Sequence, residues 1–231
     1  KRIHHSFMMN ARRDIDSSFV FCLSQVDGNH EEGKLSMWRA YGADGKGCAL
    51  KFDGSKLSPQ PDNQFPISTV IVKYLNKSKC SDEAQKLASY LINTISKYDI
   101  KDFETNFAGF MSLLNMKIGD ICLSIKNSGF SEEREVRLIY RRGYDTDKKF
   151  MPVSKNFGGD VSVKLNVPIR PYTEYGLNDT ALEDLLTGII VGPSPNSWSI
   201  TKALAQALRE AKFNASDDFI TRCMTPYRAP N

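Results

Sequence analysis

Ser68-Thr69-Val70-Ile71-Val72-Lys73-Tyr74-Leu75 and Glu135-Val136-Arg137-Leu138-Ile139-Tyr140 bracket the middle of the chain. Both runs are rich in β-branched and apolar residues and read as strands. Between them, apolar residues at 84, 87, 88, 91, 92 and 95 follow a helical period. A second helix is predicted over about 101–126, with Phe103, Phe107, Phe110, Leu114 and Ile118 on one stripe. Ser81-Asp82-Glu83 resembles the start of the first helix, and Gly129 suits a left-handed stop after the second. Strands separated by so long a helical stretch do not form alternating βαβ units. The expectation is a single α+β domain over 1–231 with a mostly antiparallel sheet and a helical insertion at about 78–130.

Working outward, Phe19-Val20-Phe21-Cys22-Leu23-Ser24 reads as a buried strand. Ser36 is placed to cap a short helix carrying Met37, Trp38, Arg39 and Tyr41, which Gly42, Gly45 and Gly47 then break. Residues 47–53 read as a strand, and residues 54–66, with three Pro, as a loop. Further strands are predicted at Asp160–Val167, Leu186–Val191 and Phe219–Cys223, with an amphipathic helix over Trp198–Lys212.

Composition narrows the class. The chain has 231 residues, 41% hydrophobic and 25% charged, with a formal charge of +4. Its pI is about 8.7 and its mean hydropathy −0.39. That excludes a disordered chain. No run of about 18 apolar residues is present, so no membrane partner is expected. The basic residues are scattered, so charge alone does not argue for nucleic acid. Five cysteines, at 22, 48, 80, 122 and 223, include no CxxC pair, and no structural zinc site is expected. Cys22, Cys48 and Cys122 lie in apolar stretches and are expected to be small buried hydrophobes. Free thiols point to a reducing compartment, the cytoplasm, and no secretory signal is read. The chain begins with Lys1 rather than Met, which leaves open whether residues precede it.

Three clusters carry chemistry-bearing residues. Leu35-Ser36-Met37-Trp38-Arg39-Ala40-Tyr41-Gly42 puts two aromatics and an Arg on one short helix. Such a set can stack on a planar ring and pair with a phosphate, and the plainer reading is core packing. In Ser131-Glu132-Glu133-Arg134-Glu135-Val136-Arg137, strand alternation places Glu133, Glu135 and Arg137 on one face. A carboxylate beside a guanidinium stays ionised and can stabilise a cationic transition state; the plainer reading is an exposed charged edge. Thr221 to Arg228 forms a tail that docks or frays. The loop Gly192-Pro193-Ser194-Pro195-Asn196 can present N–H groups to an anion, but lacks the dinucleotide and P-loop patterns. With only His4, His5 and His30, and neither HExxH nor GxSxG, histidine-based catalysis and a metal site are not expected.

Taken in order, residues 19–24, 35–42, 47–53, 72–74, 132–139, 189–193 and 225–228 make the chain similar to the bacterial domain of unknown function family numbered 2971, over roughly 15–228. There is also a more distant resemblance to ADP-ribosyltransferases, in which a strand of the Glu-x-Ile-Val-Tyr kind carries the catalytic carboxylate. Glu135 to Tyr140 looks like that strand, and Cys22-Leu23-Ser24 stands where Ser-Phe-Ser is usual. The likeness implies that Glu135 holds the ribose 2′-hydroxyl of NAD, with Glu133 as its catalytic companion. It implies that Trp38 and Tyr41 stack on nicotinamide, Arg39 meets the pyrophosphate, and Ser24 and Arg137 line the pocket. All of these would face one cleft.

The expected function is an ADP-ribosyltransferase-like enzyme that uses NAD as substrate, without a metal. It would modify a macromolecular target, protein or nucleic acid, as a toxin or antiphage effector does. One alternative is a non-catalytic nucleotide-sensing or protein-interaction module on the same fold. Another is a nucleic-acid-acting enzyme with Glu133, Glu135 and Arg137 near phosphates.

Overall fold

The computed structural model describes residues 12–13, 15–26, 32–57, 66–95, 107, 109, 111, 114–115, 118–145, 147–157, 160–175 and 177–226. The strands are β1 (Ser18–Ser24), β2 (Cys48–Phe52), β3 (Ile67–Ile71), β4 (Lys73–Leu75), β5 (Ile125–Asn127), β6 (Glu135–Arg141), β7 (Pro152–Phe157), β8 (Asp160–Leu165), β9 (Leu186–Val191) and β10 (Ile220–Arg222). The helices are α1 (Leu35–Tyr41), α2 (Lys77–Ile95), α3 (Leu182–Leu185) and α4 (Ser197–Glu210), and residues 118–124 are also helical. This is a mixed α+β architecture. The chain divides into two compact units, Lys1–Ser24 with Phe65–Asn166, and Gln25–Gln64 with Val167–Asn231.

In the first unit β6 is the centre of a three-stranded sheet, antiparallel to β1 on one side and to β3 on the other. Alternation puts Glu135, Arg137, Ile139 and Arg141 on one face of β6, and Val136, Leu138 and Tyr140 on the other. Ile139 is fully buried. Segment 118–124 lies along its face, because Arg137 Nη1 donates to the Leu123 carbonyl and Arg141 Nη2 to Asp120. On the opposite face, Tyr140 packs edge-on against Phe150 at 5.8 Å. Its hydroxyl donates to Asp145 Oδ2 at 2.9 Å. Asp145 also accepts the Lys149 and Phe150 N–H groups, both at 3.0 Å, which closes the turn after β6.

The second unit centres on β9, antiparallel to β2 and parallel to β10. With α4 as crossover, β9 and β10 make a βαβ unit. Leu186, Ile189 and Phe219 form one core with Phe52, Leu204, Leu208 and Phe213. Trp38, Ile190 and Cys223 form another.

Several expectations are corrected. The single strand at 68–75 is two: β3 pairs with β6, whereas β4 runs parallel to β5. The break is at Val72, which is buried and donates its N–H to the Glu135 carbonyl at 2.9 Å. α2 begins at Lys77, ahead of Ser81, because Asn76 Oδ1 accepts the Lys79 N–H at 3.0 Å and caps the first turn. The second helical stretch gives way to β5 at Ile125; Phe103 and Phe110 lie outside the described residues. Gly129 does not form a left-handed stop. It sits in a 3-10 turn, Ser128–Glu133, held by Asn127 Oδ1 at 2.9 Å, and the left-handed residue is Arg134, with φ 44°. Glu133 therefore belongs to this turn and not to the strand face. β7 was not expected; it forms a hairpin with β8. Parallel pairings at β4–β5 and β9–β10 accompany the antiparallel ones.

All five cysteines are free; Cys223 is buried, but Cys22, Cys48 and Cys122 are exposed. The first two lie on β1 and β2, each an edge strand of its sheet, and edge positions cover fewer side chains. Among the described residues, no helix is long and apolar enough to cross a membrane.

Candidate functional site

The first unit gathers an ionic cluster at the start of β6. Ser24 lies directly opposite Glu135, and Cys22 opposite Arg137, across the antiparallel β1–β6 pair. Opposed residues share a face, so Cys22, Ser24, Glu135 and Arg137 project to one side. Lys126 arrives from β5, which is fixed by its pairing with β4; Tyr74 is the register partner of Lys126. The Tyr74 hydroxyl accepts the Glu135 backbone N–H at 2.7 Å, tying β4 to the first residue of β6. The 3-10 turn between β5 and β6 doubles back, and this returns Glu133 to Lys126, seven residues earlier.

Glu135 is 4% exposed, so its charge needs partners. Arg137 supplies Nε at 2.9 Å to Oε1 and Nη2 at 3.2 Å to Oε2. Lys126 Nζ reaches Oε2 at 3.1 Å, and the Cys22 thiol donates as well. Burial by itself would raise the Glu135 carboxyl. The donors from Arg137, Cys22 and Lys126 outweigh it and hold the group at about 2. The same contacts act in reverse on the partners. Lys126 is raised, chiefly by its bond to Glu133, and Arg137 by its bond to Glu135. The Cys22 thiol is pushed up to about 11, first by burial and then by the hydrogen bond and charge of Glu135.

Two consequences follow for chemistry. Glu135 is a fixed anion at neutral pH, suited to stabilising a cation and unsuited to taking up a proton. Cys22 remains a thiol and acts as a donor, not as a thiolate nucleophile. A carboxylate has about four acceptor positions, and Glu135 receives four donors. The weakest is the thiol, so a ligand hydroxyl would replace Cys22 at least cost. Arg137 spends Nε and Nη2 on Glu135 and Nη1 on the Leu123 carbonyl, so it orients Glu135 and segment 118–124. Lys126 also lies over the Phe130 ring, 5.0 Å from its centroid.

The structure thus brings together Ser24, Glu133, Glu135 and Arg137. Trp38, Arg39 and Tyr41 belong to the second unit. On α1, Trp38 points inward: it is 4% exposed and its Nε1 donates to the Glu32 carbonyl at 3.0 Å. Its ring is backed by Gly33 and Gly42, where an added Cβ would meet it at 3.1 and 2.6 Å. Tyr41, at 66%, and Arg39 are exposed. In the loop 192–196, the Asn196 N–H is taken by Ser194 Oγ and the Ser197 N–H by the Ser194 carbonyl. Tyr227, Arg228, His4, His5 and His30 lie outside the described residues. Among the described residues, no group of three or more His, Cys, Asp or Glu is placed to hold a metal ion.

Sequence reasoning missed Lys126, and it placed Cys22 as a small buried hydrophobe in the motif at 22–24, not as a partner of Glu135. Cys22 carried a usable signal, since it alternates with Ser24 on one strand. Lys126 had none, because its place depends on the parallel β4–β5 pairing.

Residues 37–138 match the family described as "Protein of unknown function (DUF2971)". The match spans the motifs at 37–42, 47–53, 72–74 and 132–138, and supports the likeness to that family. No curated protein and no solved structure matches the chain.

Proposed function

We propose that the chain is an ADP-ribosyltransferase-like enzyme that cleaves NAD and transfers ADP-ribose to a macromolecular target. The observation that supports this reading is Ser24 set opposite an ionised, desolvated Glu135 on one face of β1–β6. Breaking the nicotinamide–ribose bond develops positive charge on the ribose, as in glycoside hydrolysis. The bonding pair leaves with nicotinamide, and a nucleophile on the target then bonds to the ribose C1′. A carboxylate fixed beforehand stabilises that charge without reorganising. In this reading the ribose 2′-hydroxyl displaces the Cys22 thiol from Glu135. Ser24 lines the same face, Arg137 and Lys126 hold the carboxylate in place, and Glu133 holds Lys126. A toxin or antiphage role would suit such an activity.

A second reading, a non-catalytic nucleotide-sensing or interaction module, draws on the complete pairing of Glu135 by its own neighbours. Titration calorimetry with NAD, followed by chromatography of the recovered ligand, separates the two. The enzyme reading expects nicotinamide to accumulate in the presence of acceptor protein or nucleic acid. Saturable binding with the NAD recovered intact across these acceptors would leave the module reading in its place.

A further inference from the structure

The second unit carries another set of side chains at the carboxyl ends of β9 and β10, the edge where ligands commonly meet a βαβ unit. Trp198, in the first turn of α4, is 56% exposed. The Lys202 ammonium lies 5.0 Å from its ring centroid and the Arg222 guanidinium 5.1 Å. Arg222 ends β10 and is in register with Val191, the last residue of β9. Both cations are exposed, and among the described residues neither is paired with a carboxylate. Two residues beyond Arg222, the Met224 N–H donates to the Glu32 carboxylate at 2.7 Å.

We propose that Trp198, Lys202 and Arg222 form a docking surface for single-stranded nucleic acid. The indole is exposed, and the Lys202 and Arg222 side chains that lie over its ring uncover a stacking face for an unpaired base when they turn to phosphates. The two cations over it, with no carboxylate partner among the described residues, are available to phosphates and would release condensed counterions on binding. A small free nucleotide fits less well, because small-ligand sites enclose most of the ligand, whereas strands are held on open aromatic platforms flanked by positive charge. An acidic peptide would satisfy the cations but would leave the indole without a planar partner. The surface is independent of the NAD reading, since none of these residues belongs to the Glu135 cluster.

The test is binding of a fluorescein-labelled oligothymidylate of about 16 nucleotides, in about 50 mM salt, read by anisotropy and by tryptophan fluorescence. The chain has two tryptophans, and Trp38 is buried, so quenching by the strand reports Trp198. Saturable binding with quenching is expected. Trp198→Ala should weaken it about tenfold. Lys202→Gln with Arg222→Gln should flatten the salt dependence, by about 0.7 in log–log slope for each charge removed. Lys79→Gln, on α2 of the other unit, should change neither. All three substituted side chains of the surface are exposed, so the variants are expected to fold, and circular dichroism checks this. Absence of saturable binding would overturn the proposal, as would equal binding by folded Trp198→Ala. Equal competition by duplex of the same length or by polyglutamate would also overturn it, because neither offers an unstacked base.

Discussion

Ser24 and Glu135 face each other across the antiparallel β1–β6 pair, and Glu135 is held there by Arg137, Lys126 and Cys22. The pairing places a small hydroxyl side chain beside a buried anion that three neighbours keep ionised. The stability and reactivity of the first unit should depend on that anion in measurable ways.

Removing it takes from the half-buried Arg137 its carboxylate partner and leaves Lys126 to Glu133 alone. Glu135→Ala is expected to cost about 3 kcal/mol of unfolding free energy, the scale for breaking one side of a buried ion pair. Because the Glu135 carboxyl is depressed to about 2, its contribution is complete above the pKa of the unfolded carboxyl. It is lost as pH falls through the folded value. Stability of the wild type should therefore decline between about pH 5 and about pH 2, and Glu135→Gln should show a shallower decline. Urea unfolding at a series of pH values measures both.

Cys22 should be a slow thiol despite its exposure. With its group raised to about 11, little thiolate exists at pH 8, and alkylation by iodoacetamide should speed up only as pH approaches that value. Glu135→Gln removes the negative charge that helps to raise it, so Cys22 should react faster at pH 8 in that variant. Peptide mapping of the alkylated cysteines by mass spectrometry, over a pH series, follows Cys22 separately from the other four. Equal rates in the two proteins would remove the thiol–carboxylate contact from the description of the site.

Gly42 should tolerate no side chain. An added Cβ would stand 2.6 Å from Trp38 Cε3 and 2.8 Å from the Trp38 carbonyl oxygen, and both belong to the core rather than to a flexible surface group. Gly42→Ala is expected to cost about 1–3 kcal/mol, the range for overpacking. Trp38→Ala should cost about 3–5 kcal/mol through the cavity it leaves. Thermal or chemical unfolding of each variant checks these values.

What could be read from the sequence follows the reach of the interactions. β1, β9 and α1 were legible as elements from local periodicity and glycine breaks, but β1 is a largely exposed edge strand instead of a buried one, and α1 starts at Leu35 after Lys34 with no side-chain cap, so Ser36 lies inside it. The Glu135–Arg137 face followed from alternation alone. Pairing was not legible. The break at Val72 depends on a hydrogen bond to Glu135, 63 residues away by number (135 − 72). Lys126 reaches Glu135 only because β4 and β5 run parallel. Alternation alone carries Glu133 into the strand, but Asn127 folds residues 128–133 into a turn and Arg134 takes the left-handed conformation, so the carboxylate approaches Lys126 from another side. Trp38 had a helical position compatible with either surface or core, and only the packing of Ile190, Cys223 and two glycines decides between them.

The most direct test is nicotinamide release from labelled NAD by wild type and Glu135→Gln, each verified as folded, with protein, RNA and DNA acceptors present. Release by wild type, reduced at least about a hundredfold in Glu135→Gln, is expected from loss of one preorganised electrostatic group. Equal release by the two proteins, or none from wild type with any acceptor, would contradict the role given to Glu135.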